Sequence, residues 1–173
     1  MPGRHRPLVV DACVAINVRA TGRWGEIFTT AQWQPIMTTF ALQEVIYLFD
    51  EDGERQRIAL DAEEAVGLVS QSLNDRQLTL MLQLVPSLGP GEASSLALAQ
   101  TEEFAFATDD HAASNHELAR ANSVVGTTQL IRTWAEKTAG EKCVKDVILL
   151  IDSRSRFRPG ASDPNHSWWL SRL

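Results

Sequence analysis

Cysteine is scarce. Only Cys13 and Cys143 are present, far apart and in no metal-ligand spacing, so reduced thiols are expected, with Cys13 a small core residue. Long apolar runs are missing too, since none approaches the ~20 residues that a membrane span needs. The positive start Arg4-His5-Arg6 runs at once into Leu8-Val9-Val10-Asp11, too short and too soon acidic for a signal peptide, and a cytoplasmic protein is expected. Basic charge is in deficit: 16 Lys and Arg against 22 Asp and Glu leave a net charge of −6. That balance argues against a broad basic surface gripping nucleic acid, but not against acids gathered and neutralised at a metal site. The chain also lacks a Gly-x-x-x-x-Gly-Lys phosphate loop, a Gly-x-Ser-x-Gly elbow and a His-Glu-x-x-His pair.

What is present is an ordinary globular composition, 44% apolar and 22% charged, over a length that fits one domain, 1–173, with a real core. No repeat, low-complexity stretch or linker divides it. Leu8-Val9-Val10 and Phe104-Ala105-Phe106-Ala107-Thr108 read as buried parallel strands. Around them the pattern predicts helices over 12–18, 23–33, 40–49, 57–73, 91–103, 112–121 and 128–139, and short strands over 35–38 and 123–125. Thr38 or Thr39 is the expected cap of the 40–49 helix, whose buried stripe is Leu42, Val45, Ile46 and Phe49. Leu78, Leu80, Leu82 and Leu84 alternate with Thr79, Met81, Gln83 and Val85, which favours a strand. The alternation of strands and helices gives an α/β sheet with covered faces. An apolar segment at 144–151, a loop at 158–165 and Trp168-Trp169-Leu170 follow, the tryptophans packing the tail onto the domain.

The two apolar strands end in acids, one in Asp11 and the other in Asp109 and Asp110. A buried strand that stops at a carboxylate delivers it to the carboxyl edge of a sheet, where α/β folds bind ligands. Glu44 and Glu92 lie near the starts of helical segments. Each acid has a purely structural alternative: Asp11 as a helix cap, Glu92 favoured by the helix dipole, Glu44 on an exposed face, and Asp109 and Asp110 as a turn cap. Together, carboxylates from separate elements on one rim suggest a magnesium site, because Mg²⁺ takes hard oxygen ligands and keeps several waters. His111 and His116 fit no zinc spacing and read as surface polar residues.

Five pieces in this order carry a family likeness: Val9-Val10-Asp11-Ala12-Cys13-Val14; Leu42-Gln43-Glu44-Val45; Gly91-Glu92-Ala93-Ser94-Ser95-Leu96-Ala97-Leu98-Ala99; Phe106-Ala107-Thr108-Asp109-Asp110; and Val125-Gly126-Thr127-Thr128. With them the chain resembles the PIN-domain family, small metal-dependent nucleases that include the toxin ribonucleases of prokaryotic toxin-antitoxin modules. The likeness spans about 8–139 and leaves 140–173 as a C-terminal extension. It implies a three-layer α/β/α sandwich around a mostly parallel sheet, and hydrolysis of RNA phosphodiester bonds with Mg²⁺ or Mn²⁺. By that likeness Asp11, Glu92 and Asp109 or Asp110 hold metal, while Glu44 completes the shell or orients the water. Many members carry Asp where Glu92 stands. Their final acid often follows Thr with one residue between, which points to Asp110, whereas the spacing to Gly126-Thr127 and the direct end of the strand favour Asp109.

Thr108 and Thr127 are candidates to hold water or phosphate near the metal, and Arg19, Arg23, Arg120 and Arg132 to contact phosphate. The resemblance implies an RNA substrate and an antitoxin protein, and leaves room for a homodimer. Trp24, Ile27, Phe28 and Trp33 serve either as an apolar anchor for such an inhibitor or as core. Two other readings stand beside the nuclease: a catalytically silent module of the same fold that binds RNA or protein, and a metal-dependent phosphatase or nucleotide hydrolase of another α/β fold.

Overall fold

A computed structural model describes residues 5–45, 47–58, 60, 65–120, 122–138 and 140–173, without the Arg120 side chain. The chain begins with β1 (Arg6–Val10), α1 (Ala12–Ala20), α2 (Trp24–Thr30), β2 (Trp33–Thr38) and α3 (Thr39–Glu44). There follow β3 (Tyr47–Phe49), β4 (Arg55–Arg57), β5 (Val69–Gln71), α4 (Asp75–Leu84), α5 (Pro90–Glu102) and β6 (Ala105–Ala107). The chain closes with α6 (His111–Asn115), α7 (Glu117–Arg120), β7 (Val124–Val125), α8 (Thr127–Thr138), α9 (Glu141–Arg154) and α10 (His166–Leu170).

Five strands form one sheet in the order β5-β2-β1-β6-β7 with every neighbouring pair parallel. Central β1 is wholly buried at Leu8, Val9 and Val10. Successive side chains of a strand point to opposite faces. Leu8 and Val10 therefore join one apolar layer with residues of α1, α2, α8 and α9, while Val9 joins the other with Phe106 and residues of α4 and α5. The result is the three-layer α/β/α sandwich around a parallel sheet. Among the described residues no helix is long and apolar enough to cross a membrane.

Several elements differ from the sequence expectation. The segment expected as a strand over 78–85 is helix α4: Asn74 and Gln77 form a reciprocal capping box at its start, and Gln77, Met81 and Leu84 are buried at helical spacing while Leu82 is 70% exposed. The expected 40–49 helix is capped by Thr38 but ends at Glu44, and Tyr47–Phe49 pair antiparallel with β4 instead. Its aromatic residues suit a strand once a partner is present. In α3 itself Ala41 is the buried residue, and Ile46 lies outside the described residues. The 57–73 helix is replaced at its ends by β4 and β5, with Gly67 at φ +82° in the turn before β5; its middle, 61–64, lies outside the described residues. Residues 112–121 are divided by His116, which is extended, into α6 and α7. Helix α2 stops at Thr30, and Gln32 at φ +60° turns the chain into β2.

The C-terminal segment is woven into the same layer as α1. Val144, Val147, Ile148 and Ile151 of α9 and Trp169 of α10 are buried there, and Phe157 meets Trp169 edge to face at 5.6 Å. Trp169→Ala should therefore lower the unfolding free energy by about 3–5 kcal/mol, the cost of a large core truncation. Urea unfolding followed by circular dichroism measures it, and a loss below ~0.5 kcal/mol would make the tail a surface appendage.

Candidate functional site

The β1–β6 pair is a topological switch point, because the chain leaves β1 toward β2 on one side and reaches β6 on the other. Crevices at such points, beyond the carboxyl ends of the strands, are where open α/β sheets bind ligands. Asp11 follows β1, is 1% exposed and caps α1. Its Oδ1 accepts the Ala12 N–H at 2.9 Å, and its Oδ2 accepts the Cys13 thiol and the Thr108 hydroxyl, each at 3.3 Å. Beyond β6, the Asp109 Oδ1 accepts the Thr127 N–H at 2.8 Å, while Oδ2 accepts the Thr127 hydroxyl at 2.5 Å and the Asn17 amide at 2.9 Å. Asp109 thus joins β6, α1 and the start of α8. A Cβ at Gly126 would come within 3.2 Å of this carboxylate. Asp110 caps α6 through Oδ1, which accepts the Ala113 N–H at 2.8 Å.

Glu92, in the first turn of α5, folds back so that Oε2 accepts the Gly89 N–H at 3.1 Å. Glu44, exposed at the end of α3, accepts the Gly91 N–H at 2.8 Å. That approach requires glycine, since a Cβ at position 91 would overlap the Glu44 carboxylate. The two helices are joined beneath by buried hydroxyls: Thr38 and Ser94 share a hydrogen bond of 2.6 Å, and Ser94 donates to the Gly91 carbonyl at 2.7 Å.

These acids act on one another. Burial raises the Asp11 carboxyl to about 6, with the Glu92 charge adding to the rise against the three local donors. Glu92 is raised first by burial and then by Asp110 and Glu44. Burial raises Asp109 as well, and there the neighbouring charge is Asp163. The Cys13 thiol is pushed up by burial and by the Asp11 and Asp109 charges, so it is a neutral donor between them. Among the described residues no Lys, Arg or His forms an ion pair with any of the five acids.

A cleft of about 540 Å³ opens beside the switch point, with Glu92, Asp109 and Asp110 on one side and Phe157, Arg158, Ser162 and Asp163 on the other. The wall from 157 to 164 comes from the C-terminal segment. It is fastened by Asp163, whose carboxylate accepts the Thr128 hydroxyl at 2.9 Å and the Asn165 N–H at 2.6 Å.

Sequence reasoning named all five carboxylates, and the structure places them on the carboxyl edge. It also brings in Thr108 and Thr127, as donors to Asp11 and Asp109. It missed Asn17, Ser94 and Asp163, whose partners are 92, 56 and 35 residues away, and it read Thr38 only as the cap of α3. Cys13 is part of the site rather than plain core. Two of the proposed phosphate contacts are engaged elsewhere: Arg23 pairs with Glu26, and Arg132 with Glu136 and Asn165. Arg19 lies in the last turn of α1, and the Arg120 side chain lies outside the described residues. Trp24, Ile27, Phe28 and Trp33 are core, from 0% to 9% exposed, and so offer no anchor to an inhibitor.

The fold and site together define a parallel α/β sandwich with an acidic carboxyl edge. Comparison with protein-family models, with curated proteins and with solved structures found no match.

Because the folded Asp11 binds its proton more tightly than the unfolded chain does, stability contributed by this group is full below pH ~4 and falls as pH rises toward ~6. The linked penalty at neutral pH is on the order of 3 kcal/mol. Asp11→Asn keeps a good N-cap and removes the charge, so in EDTA it should melt no lower than wild type at pH 7 and show less stabilisation on going from pH 7 to pH 5. Calorimetry at the two pH values checks this; an unchanged pH response would place the titrating group elsewhere.

Proposed function

We propose that this chain is a Mg²⁺- or Mn²⁺-dependent endoribonuclease of the PIN type. One observation supports the reading: Glu92 lies near enough to Asp11, Asp110 and Glu44, each from a separate element, for their charges to act on one another, with no protein cation paired to any of the four among the described residues. The donor set is all hard oxygen, which suits Mg²⁺ or Mn²⁺. As the side chains lie, no three groups among the described residues stand close enough to share one ion. Glu44, Glu92 and Asp110 each spend one oxygen on a backbone N–H. Loading the site would therefore turn the two flexible glutamates off Gly91 and Gly89 and toward Asp11 and Asp110.

A bound ion would supply an activated water and a counter-charge for the leaving oxygen of a phosphodiester. The chain's own residues divide the remaining work. Asp11, Glu92 and Asp110 would hold the ion, and Glu44 would complete the shell or orient the attacking water. Asp109, with both oxygens already taken by Thr127 and Asn17, is a positioning residue that fixes the start of α8 against β6. The cleft beside them admits a nucleotide-sized group between Asp110 and the 157–164 wall. An inhibitor of the antitoxin kind would meet this edge with an Arg or Lys, which pairs with carboxylates in place of the ion. A cytoplasmic setting fits these reduced thiols and this substrate.

Purified protein should cleave single-stranded RNA only with Mg²⁺ or Mn²⁺, and Asp11→Asn should abolish cleavage, whereas Asp109→Asn should lose about 10–100-fold through the altered shell. Labelled RNA, single-stranded DNA and a generic phosphate ester assayed in parallel test the reading. Hydrolysis of the ester without RNA cleavage would turn it into a phosphatase, and metal-free RNA binding without cleavage into a silent binding module.

Millimolar Mg²⁺ should also raise the melting temperature of the wild type, because an ion bound only by the folded state shifts unfolding by mass action. The combined change D11N/E44Q/E92Q/D110N should erase that rise. An equal rise in both proteins, read by differential scanning fluorimetry, would place the ion elsewhere.

A further inference from the structure

The β3–β4 hairpin carries chemistry that the acidic edge does not use. Strand pairing sets Tyr47 opposite Arg57 and Phe49 opposite Arg55, and the two-residue alternation puts all four on one face while Leu48 is buried on the other. The Arg55 guanidinium lies over the Tyr47 ring at 4.6 Å and that of Arg156 over Phe49 at 3.6 Å. The two rings meet edge to face at 5.7 Å. Arg55, Arg57 and Arg156 are exposed. A hollow of about 280 Å³, walled by Tyr47, Phe49 and Arg154, reaches from this face to Glu44.

Such a row runs against the chain's net charge of −6. A guanidinium stacked on a ring keeps its N–H donors in its own plane, directed sideways, where they match phosphate oxygens in pairs. None of the three exposed arginines forms an ion pair with a carboxylate among the described residues. In the acidic turn that closes the hairpin, the Asp50 carboxylate accepts the Asp52 and Glu54 N–H groups and the Gln56 amide, and Glu51, Asp52 and Glu54 form no ion pair with the three arginines among the described residues.

We propose that this face is a binding track for single-stranded RNA, whose phosphates lie along Arg57, Arg55 and Arg156 and whose path leads over the hollow to Glu44. The rings order the guanidiniums in advance, so less freedom is lost on binding. A single strand is the occupant because the row is one arginine wide and ends at a hollow too small for a duplex. The substrate rests on the ribonuclease reading; the binding does not.

Fluorescence anisotropy of a labelled single-stranded RNA of about 12 nucleotides, titrated with the full chain in EDTA over a range of KCl, tests the track. R55Q/R57Q should weaken binding at least about tenfold near 0.1 M salt and flatten the log–log salt slope by about 1.4, since each lost phosphate contact on a single strand removes ~0.7. R76Q/K142Q, which removes equal charge from α4 and the start of α9, should change neither. An unchanged slope in R55Q/R57Q, or an equal loss in R76Q/K142Q, overturns the proposal. So does polyglutamate that competes with the same arginine dependence, which would make the face a dock for an acidic protein. Arginine-dependent binding without cleavage in Mg²⁺ or Mn²⁺ upholds the track and rejects the nuclease. Cleavage with no arginine dependence does the reverse.

Discussion

Asp11 leaves water because β1 does. Leu8, Val9 and Val10 are fully buried and paired on both sides, to β2 and to β6, so the residue after them emerges beneath α1 rather than into solvent. The Asp11 N–H still bonds the Ala107 carbonyl at 2.9 Å, which carries the sheet ladder one step past the strand. That register puts Thr108 beside Asp11 and brings the Asp109 N–H to the Cys13 sulfur. The burial that raises its carboxyl to about 6 is offset in part by the Ala12 N–H, the Cys13 thiol and the Thr108 hydroxyl. Removing any of these donors leaves a buried charge less satisfied, and that costs more than the hydrogen bond itself is worth.

The remaining acids combine two demands on the same atoms. Asp110 and Glu92 satisfy N–H groups that the first turns of α6 and α5 would otherwise leave without partners, and Glu44 does so for Gly91 across an interhelical gap. In Glu92 the Gly89 N–H favours the charged carboxylate, while burial and the Asp110 and Glu44 charges oppose it. The structural alternatives weighed for each acid are therefore real, and they do not compete with a role in binding. In the ribonuclease reading, a bound cation would have to compete with the Gly89 and Gly91 N–H groups for the Glu92 and Glu44 carboxylates.

The parts legible in sequence are those whose causes are local. An aliphatic run ending in an acid marked β1 and Asp11. Thr38 marked the start of α3, and Gly91 with Glu92 in the first turn marked α5. The parts that were not legible depend on distant partners. Leucine at every second position from Leu78 fits a strand or a helix, and the decision lies in Asn74 and Gln77, just outside that pattern. Tyr47 to Phe49 extends a helical pattern in isolation and becomes β3 only because Arg55–Arg57 folds back beside it. Asn17 and Asp163 carry no mark at all: one is a polar residue in an apolar helix and the other a turn residue, and each acquires its role through residues far along the chain.

Charge is separated across this molecule in a way that its net value conceals. The carboxyl edge gathers Asp11, Glu44, Glu92, Asp109 and Asp110, while the hairpin face beside Glu44 gathers arginines held on aromatic rings. A polyanion is repelled by the first surface and attracted by the second, so an acidic site can receive one only if a neighbouring basic surface brings it in or a cation reverses the local sign. The C-terminal segment serves both surfaces. It supplies Arg156 to the hairpin face, Arg154 to the hollow and the 157–164 wall to the cleft, and Phe157 packs on Trp169 between them in sequence. The last 34 residues, 140–173, are thus the part of the chain through which the two surfaces are held in register.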